Sequence, residues 1–356
     1  MSEVDAIMNH VASCLEAARS LPRAAYLDEA VFESERAQVV AAGWAPVARV
    51  SEVSKPGAYR TLDLFGAPLV VNCDEAGTVR VLSRVCRHRG MLVCEGAGET
   101  KGFTCPYHLW RYRLDGSLAS APAMEDSAVF DRTAAGLKVI RSDTWGGWVF
   151  ANLDGSAPPL AEALSGLAAR LAPIAPERLI TADVLTFESP WNWKVMVENF
   201  LESYHHIGPH AASLQRTNPG LLTFESEGSD AYTVLENPPA DGQHNPFVVA
   251  AAFPATLMFF TEGAAPLGVW YELDQVRRTG FTLRIHLLAP PDFAAEPELV
   301  AHYRSAVAAI HAEDIPACMG VQAGVESPLY EPGPLSRLEA PLWRFHRHLQ
   351  ARLGAT

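Results

Sequence analysis

Two pairs of side chains in this 356-residue chain have the types and spacing of a redox-active metal centre. Cys86-x-His88, in "VCRHRG", and Cys105-x2-His108, in "FTCPYHLW", each offer one thiolate and one imidazole, with sixteen residues between the pairs. Two thiolates on one iron and two imidazoles on the other make the mixed-ligand form of a [2Fe-2S] centre, in which the imidazoles raise the potential. Thiolates suit a buried ferric iron, and imidazoles leave the second iron near the surface for electron exchange. Zinc is the competing occupant, although structural zinc sites more often pair Cys with Cys and His with His in each half. Cys14, Cys73, Cys94 and Cys318 have no such partners and read as plain buried or partly buried thiols. Arg84, Arg87, Arg89, Arg111 and Arg113 flank the two loops. They offset cluster charge or dock an acidic electron donor, or are simply solvated arginines on strand edges.

A second group lies about ninety residues on, in "ENFLESYHHIGPH", residues 198–210. The stretch Asn192 to Tyr204 contains no Gly or Pro and is expected to be helical. On that helix Glu198, Glu202 and His205 share one face at steps of four and three, while His206 points about 100° away. An unbroken helix would set His210 about 140° round the axis from His205. Gly208 and Pro209 disfavour that geometry, so the chain is expected to fold back after Ile207 and bring His205 and His210 to one metal, with His206 packed beside them. The alternative is a helix that ends in surface histidines.

Two histidines on non-haem iron call for a carboxylate as third ligand, the facial arrangement that leaves positions open for oxygen. In "ELVAHYRSAVAAIHAEDIPACMGVQAGV", Val300, Tyr303, Val307, Ile310, Asp314, Ala317 and Val321 recur at spacings of three and four. Asp314 therefore falls in an apolar stripe, where an uncompensated carboxylate is costly and metal ligation would explain it. Two rivals stand beside this reading: Asp314 as the N-cap of a helix restarted at Pro316, and Glu313 as the ligand instead.

The elements that must position these groups are readable in outline. Residues 26–44 form one early helix with Asp28 as N-cap and Val31, Phe32, Val39 and Val40 on its apolar side. From about 45 to 155 short β-rich runs alternate with Gly, Asp and Pro. Residues 156–176 are a Pro- and Ala-rich transition with one short helix. Phe281, Leu283, Ile285 and Leu287 alternate with Thr282, Arg284 and His286, the pattern of a half-buried antiparallel strand, and helical spacing returns from Pro297 to about Gly324. The expected organisation is a helical segment over 1–43, a β-domain over 44–155 and a larger domain over 156–356.

Hydrophobic residues at 49% and charged residues at 19% suit a soluble globular protein. The net charge of -13 argues against a nucleic-acid partner. No apolar run is long enough to span a membrane, and the N-terminus lacks a secretory pattern, so a cytoplasmic protein is expected. No flavin- or nicotinamide-binding fingerprint is present, so electrons from NAD(P)H would have to arrive through another protein.

Taken together, "CRHRG", "CPYHLW", "ENFLESYHHIGPH" and the late "ED" resemble, in order and over nearly the whole chain, the oxygenase component of the Rieske non-haem iron oxygenases. That resemblance implies an α+β fold: an all-β Rieske [2Fe-2S] domain, then a helix-grip catalytic domain in which an antiparallel sheet wraps a long helix. It implies that Cys86, His88, Cys105 and His108 hold the cluster, that His205, His210 and Asp314 hold mononuclear Fe(II), and that Glu202 and Asn199 are catalytic. Glu202 stands where the family usually has an aspartate bridging a cluster histidine of the neighbouring subunit to an iron histidine, and glutamate here resembles carnitine-type oxygenases. The C-terminal segment "VQAGVESPLYEPGPLSRLEAPLWRFHRHL" is similar to the choline monooxygenase-like branch, usually homotrimers. The implied activity is terminal oxygenation. O2 and electrons from a separate NAD(P)H-dependent reductase or ferredoxin would hydroxylate a small organic substrate, with N- or O-demethylation where the carbon is a methyl group. Cis-dihydroxylation of an aromatic ring and a non-catalytic Rieske electron carrier are the alternatives. Phe253, Phe259, Phe260, Trp270 and Tyr271 are candidate pocket walls, with core packing as the other reading.

Overall fold

The computed structural model describes residues 3–354, so the first two residues of the expected N-terminal segment and the last two of the chain lie outside the described residues. Two seven-stranded sheets, both wholly antiparallel, carry the fold. The first runs in the order Ala45–Arg49, Trp148–Asn152, Val139–Trp145, Val79–Ser83, Ala67–Cys73, Ala58–Leu64, Ala97–Glu99. A three-stranded sheet of Phe103–Thr104, Arg111–Tyr112 and Leu118–Ser120 holds the second Cys/His loop. The other large sheet runs Ile180–Ser189, Gly280–Ala289, Gly268–Arg277, Thr256–Thr261, Phe247–Ala252, Tyr232–Asn237, Phe224–Gly228.

The two large sheets meet through buried charge. Arg60, on strand Ala58–Leu64, forks onto Glu272 with Nη2 at 2.7 and 2.8 Å from its two oxygens, and His286 Nε2 lies 2.6 Å from the same carboxylate. Burial by itself would raise the Glu272 pKa, but the Arg60 charge and then His286 pull it down to about 2. This contact corrects the half-buried strand. Phe281, Leu283, Ile285 and Leu287 are buried as the alternation requires, yet His286 and Leu288 on the other face are buried too, because the first sheet covers that end.

The N-terminal helix is broken where one was expected. Arg23–Leu27 and Glu29–Ser34 are α-helical, and Glu35–Val40 winds as a π-helix. Asp28 does cap the second piece, accepting from Val31 N at 3.1 Å. The π segment carries buried Glu35 to Lys194, whose Nζ is 2.7 Å away, and to Trp193 Nε1 at 3.0 Å. In the transition, two short helices, Leu160–Ala163 and Ser165–Leu171, replace the single one expected. Leu160, Leu164, Leu167 and Leu171 pack with Trp44, Trp148 and Phe150 against the second sheet. Of the four unassigned cysteines, Cys73 and Cys318 are buried and Cys94 partly so, whereas Cys14 is exposed.

The long helix, Pro297–Glu326, runs unbroken through Pro316. Both Pro316 and Ala312, whose carbonyl loses its donor there, are exposed, so water can satisfy that oxygen. The N-cap explanation of Asp314 is thereby excluded, since Asp314 lies well inside the helix. Of the stripe read from sequence, Tyr303 and Asp314 are buried, Val300, Val307, Ile310 and Ala317 are half-buried and Val321 is exposed, while His311, Cys318, Gln322 and Val325 complete the buried face. Gln322 has a polar role on the packed face: its Oε1 accepts from Asn192 N at 2.8 Å and so ties down the start of the neighbouring helix.

Candidate metal centres and the cavity beside them

The two Cys/His loops share one construction. Cys86 N donates to Met91 O at 2.8 Å and Gly90 N donates to Cys86 O at 3.0 Å; Cys105 N and Leu109 N repeat both bonds with Trp110 O and Cys105 O. Each loop thus turns at a left-handed residue four places after its cysteine, Gly90 at φ 76° and Leu109 at φ 58°. The turns bury both thiols and set the imidazoles at the rim, with His88 Nδ1 and His108 Nδ1 facing each other at 3.1 Å. His88 stacks on Trp110 at 4.9 Å between ring centres. Tyr112 Oη lies 3.2 Å from Cys86 Sγ, and burial, then that thiol, raise the pKa of its hydroxyl. Desolvation, followed by His88 and Arg89, lowers His108, which favours the neutral ring that a metal ligand requires. Two buried sulfurs and two opposed imidazole nitrogens are a donor set that fits a [2Fe-2S] cluster. Among the flanking arginines, Arg84 is buried and bonded to Cys94 O, while Arg87, Arg89, Arg111 and Arg113 are exposed around the tip.

The second centre departs from the simple helix geometry. Asn192 caps the helix by accepting from Lys194 N at 2.9 Å, but the helix covers only Trp193–Phe200 and stops before Tyr204. Leu201, at φ -83° and ψ 2°, turns inward to full burial, and a short 3-10 turn, Tyr204–Ile207, carries His205. Glu198 and Glu202 therefore part company: Glu198 meets Tyr26 and His346, whereas Glu202 turns to His205. Gly208, at φ -102°, is not left-handed, and the fold-back is built from successive turns, with Gly208 N on His205 O and Ala211 N on Gly208 O. Gly220 packs so closely on the Ser203 carbonyl that a Cβ there would overlap it, which fixes the front of this turn.

This path brings His205, His210 and Asp314 together, each offering one ligand atom within 4.8 Å of the others. His210 Nε2 is 3.0 Å and His205 Nε2 3.5 Å from Asp314 Oδ1. Behind each ring stands a carboxylate. Glu202 accepts from His205 Nδ1 at 2.7 Å and from His205 N at 2.9 Å, and Glu313 accepts from His210 Nδ1 at 2.6 Å. Glu313 is thus turned away from the triad and orients a histidine, which removes it as a rival ligand. Such a partner fixes the tautomer that aims Nε2 at a metal. Its proximity in sequence to Asp314 gave no sign of this role, because His210 is far away along the chain. Asn199 Nδ2 lies 3.4 Å from Asp314 Oδ1. Burial would raise Asp314, but the His210 hydrogen bond and charge, with His205 and Asn199, hold it below the usual range. His206 is buried beside the two rings, donates through Nδ1 to Asn218 O at 2.9 Å, and is lowered to about 4 by burial.

A cavity of about 430 Å³ opens beside the triad. Of the candidate walls, Phe259 and Tyr271 line it; Phe253, Phe260 and Trp270 do not. Phe253 packs on Phe345 and His348, and Phe260 and Trp270 point through the sheet onto Trp148. Strand alternation separates Tyr271 from Trp270 and Phe259 from Phe260. Phe200, Phe247, Val249, Val269 and Tyr303 are walls that sequence reading missed; strand alternation from Tyr271 could have found Val269, but the others lie on different elements. A larger cavity, about 580 Å³, lies between the two sheets around Arg60 and Arg284 and contains none of the triad.

Comparison with known proteins gives two family matches, the Rieske [2Fe-2S] domain over residues 43–135 and the ring hydroxylating alpha subunit (catalytic domain) over 177–280 and 228–355. The carnitine monooxygenase oxygenase subunit of Escherichia coli (strain K12) is 37% identical over 193 residues, 53% of this chain and 51% of that protein. The chain thus spans about half the length of that bacterial relative. Chloroplastic choline monooxygenase of Spinacia oleracea is 26% identical over 360 residues, 95% of this chain and 79% of that one. Among solved structures, the quaternary ammonium Rieske monooxygenase CntA with an inhibitor superposes at a TM-score of 0.82, with 25% identity and 99% of each chain covered. Naphthalene 1,2-dioxygenase, at 19% identity, a TM-score of 0.80 and 97% and 95% coverage, shares the fold.

Proposed function

Since this chain belongs to the ring-hydroxylating oxygenase alpha subunits and carries their Rieske domain, we propose that it is a terminal monooxygenase that hydroxylates a C–H bond of a small organic substrate. The observation that carries this reading is the meeting of two oriented histidines and a buried aspartate at the edge of an apolar cavity. The family implies a Rieske [2Fe-2S] cluster and mononuclear iron, which we assign to Cys86, His88, Cys105 and His108, and to His205, His210 and Asp314. When bound, the cluster supplies single electrons and the iron supplies the open positions at which O2 is activated.

The chain's own residues then have defined tasks. Glu202 and Glu313 hold protons on Nδ1 of His205 and His210, leaving both Nε2 lone pairs free for the metal. Asn199 steadies Asp314, and the apolar wall excludes water and orients the substrate. The overall change consumes one O2, two electrons and two protons and yields the alcohol and water. Where the oxidised carbon is an N- or O-methyl group, the product collapses to formaldehyde and the demethylated compound.

The electrons come from a separate NAD(P)H-dependent reductase or ferredoxin. We place the working form as a homotrimer in which they cross from His108 of one subunit through Glu202 to His205 of the next. Exposed Met91, Tyr107 and Leu109 at the cluster tip, and exposed Tyr204, Ile207, Leu221 and Leu222 beside the triad, support such a contact. All six cysteines are free of disulfides, which suits a reducing cytoplasm. No helix among the described residues is long and apolar enough to cross a membrane.

His205→Ala should keep the visible spectrum of the cluster and lose oxygenation. Co-expressed with His108→Ala, it should regain part of the turnover. Retained turnover in His205→Ala overturns the metal assignment, and no recovery in the mixed assembly overturns the inter-subunit route.

A further inference from the structure

The wall of the triad cavity is apolar to an unusual degree. Beyond the metal residues it is made chiefly by Phe200, Phe247, Phe259, Val269, Phe293 and Tyr303. Among the described residues no arginine or lysine lines it, so away from the triad the wall has no fixed cation to neutralise a carboxylate brought in from water. The polar side chains of the wall are already engaged. Ser203 Oγ donates to Asn237 at 2.6 Å, His206 is bonded to Asn218 O, Thr261 Oγ1 accepts from Leu267 N at 2.9 Å, and Tyr303 Oη donates to Gly268 O at 2.6 Å. His302 stands at the exposed rim.

Tyr271 is the exception in the interior. Its ring is fixed between Phe200, at 4.9 Å between centres, and His311, at 5.9 Å. Strand Gly268–Arg277 holds it on the same face as Val269. Tyr271 takes part in ring packing but its hydroxyl is without a hydrogen-bond partner. A phenol hydroxyl carries its proton at neutral pH and can donate it. An O–H group held rigidly in an apolar chamber, with no acceptor of its own, is a directional donor waiting for one.

Resting on the oxygenase reading above, we propose that Tyr271 is the specificity-determining residue of this cavity, donating the single hydrogen bond to an uncharged, mainly apolar, ring-sized substrate that carries one acceptor atom and no carboxylate. Carnitine and glycine betaine are zwitterions, and neither would find a partner for its carboxylate on this wall. A methoxylated arene meets the description: its methyl group faces the triad and its oxygen meets Tyr271 Oη. Hydroxylation of that methyl with O2, two electrons and two protons breaks one C–H bond, forms one C–O bond and releases water; the hemiacetal then splits to a phenol and formaldehyde.

The test uses the iron- and cluster-loaded holoenzyme with a reductase and four compounds: methoxybenzene, toluene, benzyltrimethylammonium and carnitine. Binding is read by equilibrium dialysis under anaerobic conditions, and turnover by formaldehyde or alcohol release. Methoxybenzene should bind and react with kcat/KM at least about 100-fold above carnitine, given the penalty for an unpaired buried charge. Tyr271→Phe should weaken methoxybenzene binding about 3- to 10-fold, the worth of one neutral hydrogen bond, and shift toluene binding less than twofold. Preferred binding and turnover of carnitine or of benzyltrimethylammonium would overturn the proposal and leave the oxygenase reading standing. Equal losses for methoxybenzene and toluene in Tyr271→Phe would also overturn it. A loaded, reducible enzyme that binds these compounds and oxygenates none of them would instead bring down the oxygenase reading.

Discussion

Glu313→Gln isolates the part of the iron site that the sequence left least visible. The Glu313 carboxylate accepts from His210 Nδ1 at 2.6 Å and from Ser213 Oγ at 2.5 Å. Burial works against its charge, but Ser213 and His210 together hold its pKa below the ordinary glutamate value, so it is ionised at neutral pH. Glutamine keeps the shape and one carbonyl acceptor but loses the charge that favours a proton on Nδ1 and electron density on Nε2. Loss of such an orienting partner lowers metal affinity about 10- to 100-fold, or about 1.4 to 2.7 kcal/mol. The Glu313 side chain is 31% exposed, and water screens part of its field, so the lower half of that range is expected, about 10- to 30-fold. Anaerobic Fe(II) titration against a competing chelator measures this directly, and the visible absorption of the cluster serves as an internal control because Cys86 and Cys105 lie in a different core cluster. The reasoning is refuted if Fe(II) affinity stays within twofold of the parent, or if Glu313→Gln loses as much iron as His210→Ala, which would make the carboxylate a ligand.

Lys194→Met should destabilise the fold by about 3 to 5 kcal/mol, because it strands Glu35, 1% exposed, without its cation. Thermal unfolding of Lys194→Met and of Lys194→Met/Glu35→Gln should show most of the loss restored in the double variant. Burial lowers both His311 and His348 to about 4, so these rings are neutral when folded but bind protons near pH 6.5 when unfolded. Their contribution is complete above about pH 6.5 and falls away as the pH drops toward 4, by roughly 3 kcal/mol for each ring. Urea unfolding across that window should show the decline. His311, whose two ring nitrogens both lack partners, can be replaced by Leu, and that variant should lose less stability on acidification than the parent.

What the residues declared on their own was chemical type, order and local period. The residue types and spacing of Cys86, His88, Cys105 and His108 mark them as a candidate ligand set, and Asp28 caps the next helix because an N-cap acts within three residues. Alternation along Gly268–Arg277 already separated Tyr271 from Trp270. It could not say which of the two would look on the metal, since that depends on which side of the sheet receives the long helix, a contact between residues far apart in the chain. The same limit explains the helix that ends at Phe200 with neither Gly nor Pro to stop it: burying Leu201 and seating Glu202 against His205 outweighs one more turn of backbone hydrogen bonds. Glu313 likewise gains its role only when His210 arrives from a hundred residues away. Local spacing is written along the chain, but the direction in which a side chain points acquires meaning only from what packs opposite it, and that is decided by the tertiary fold.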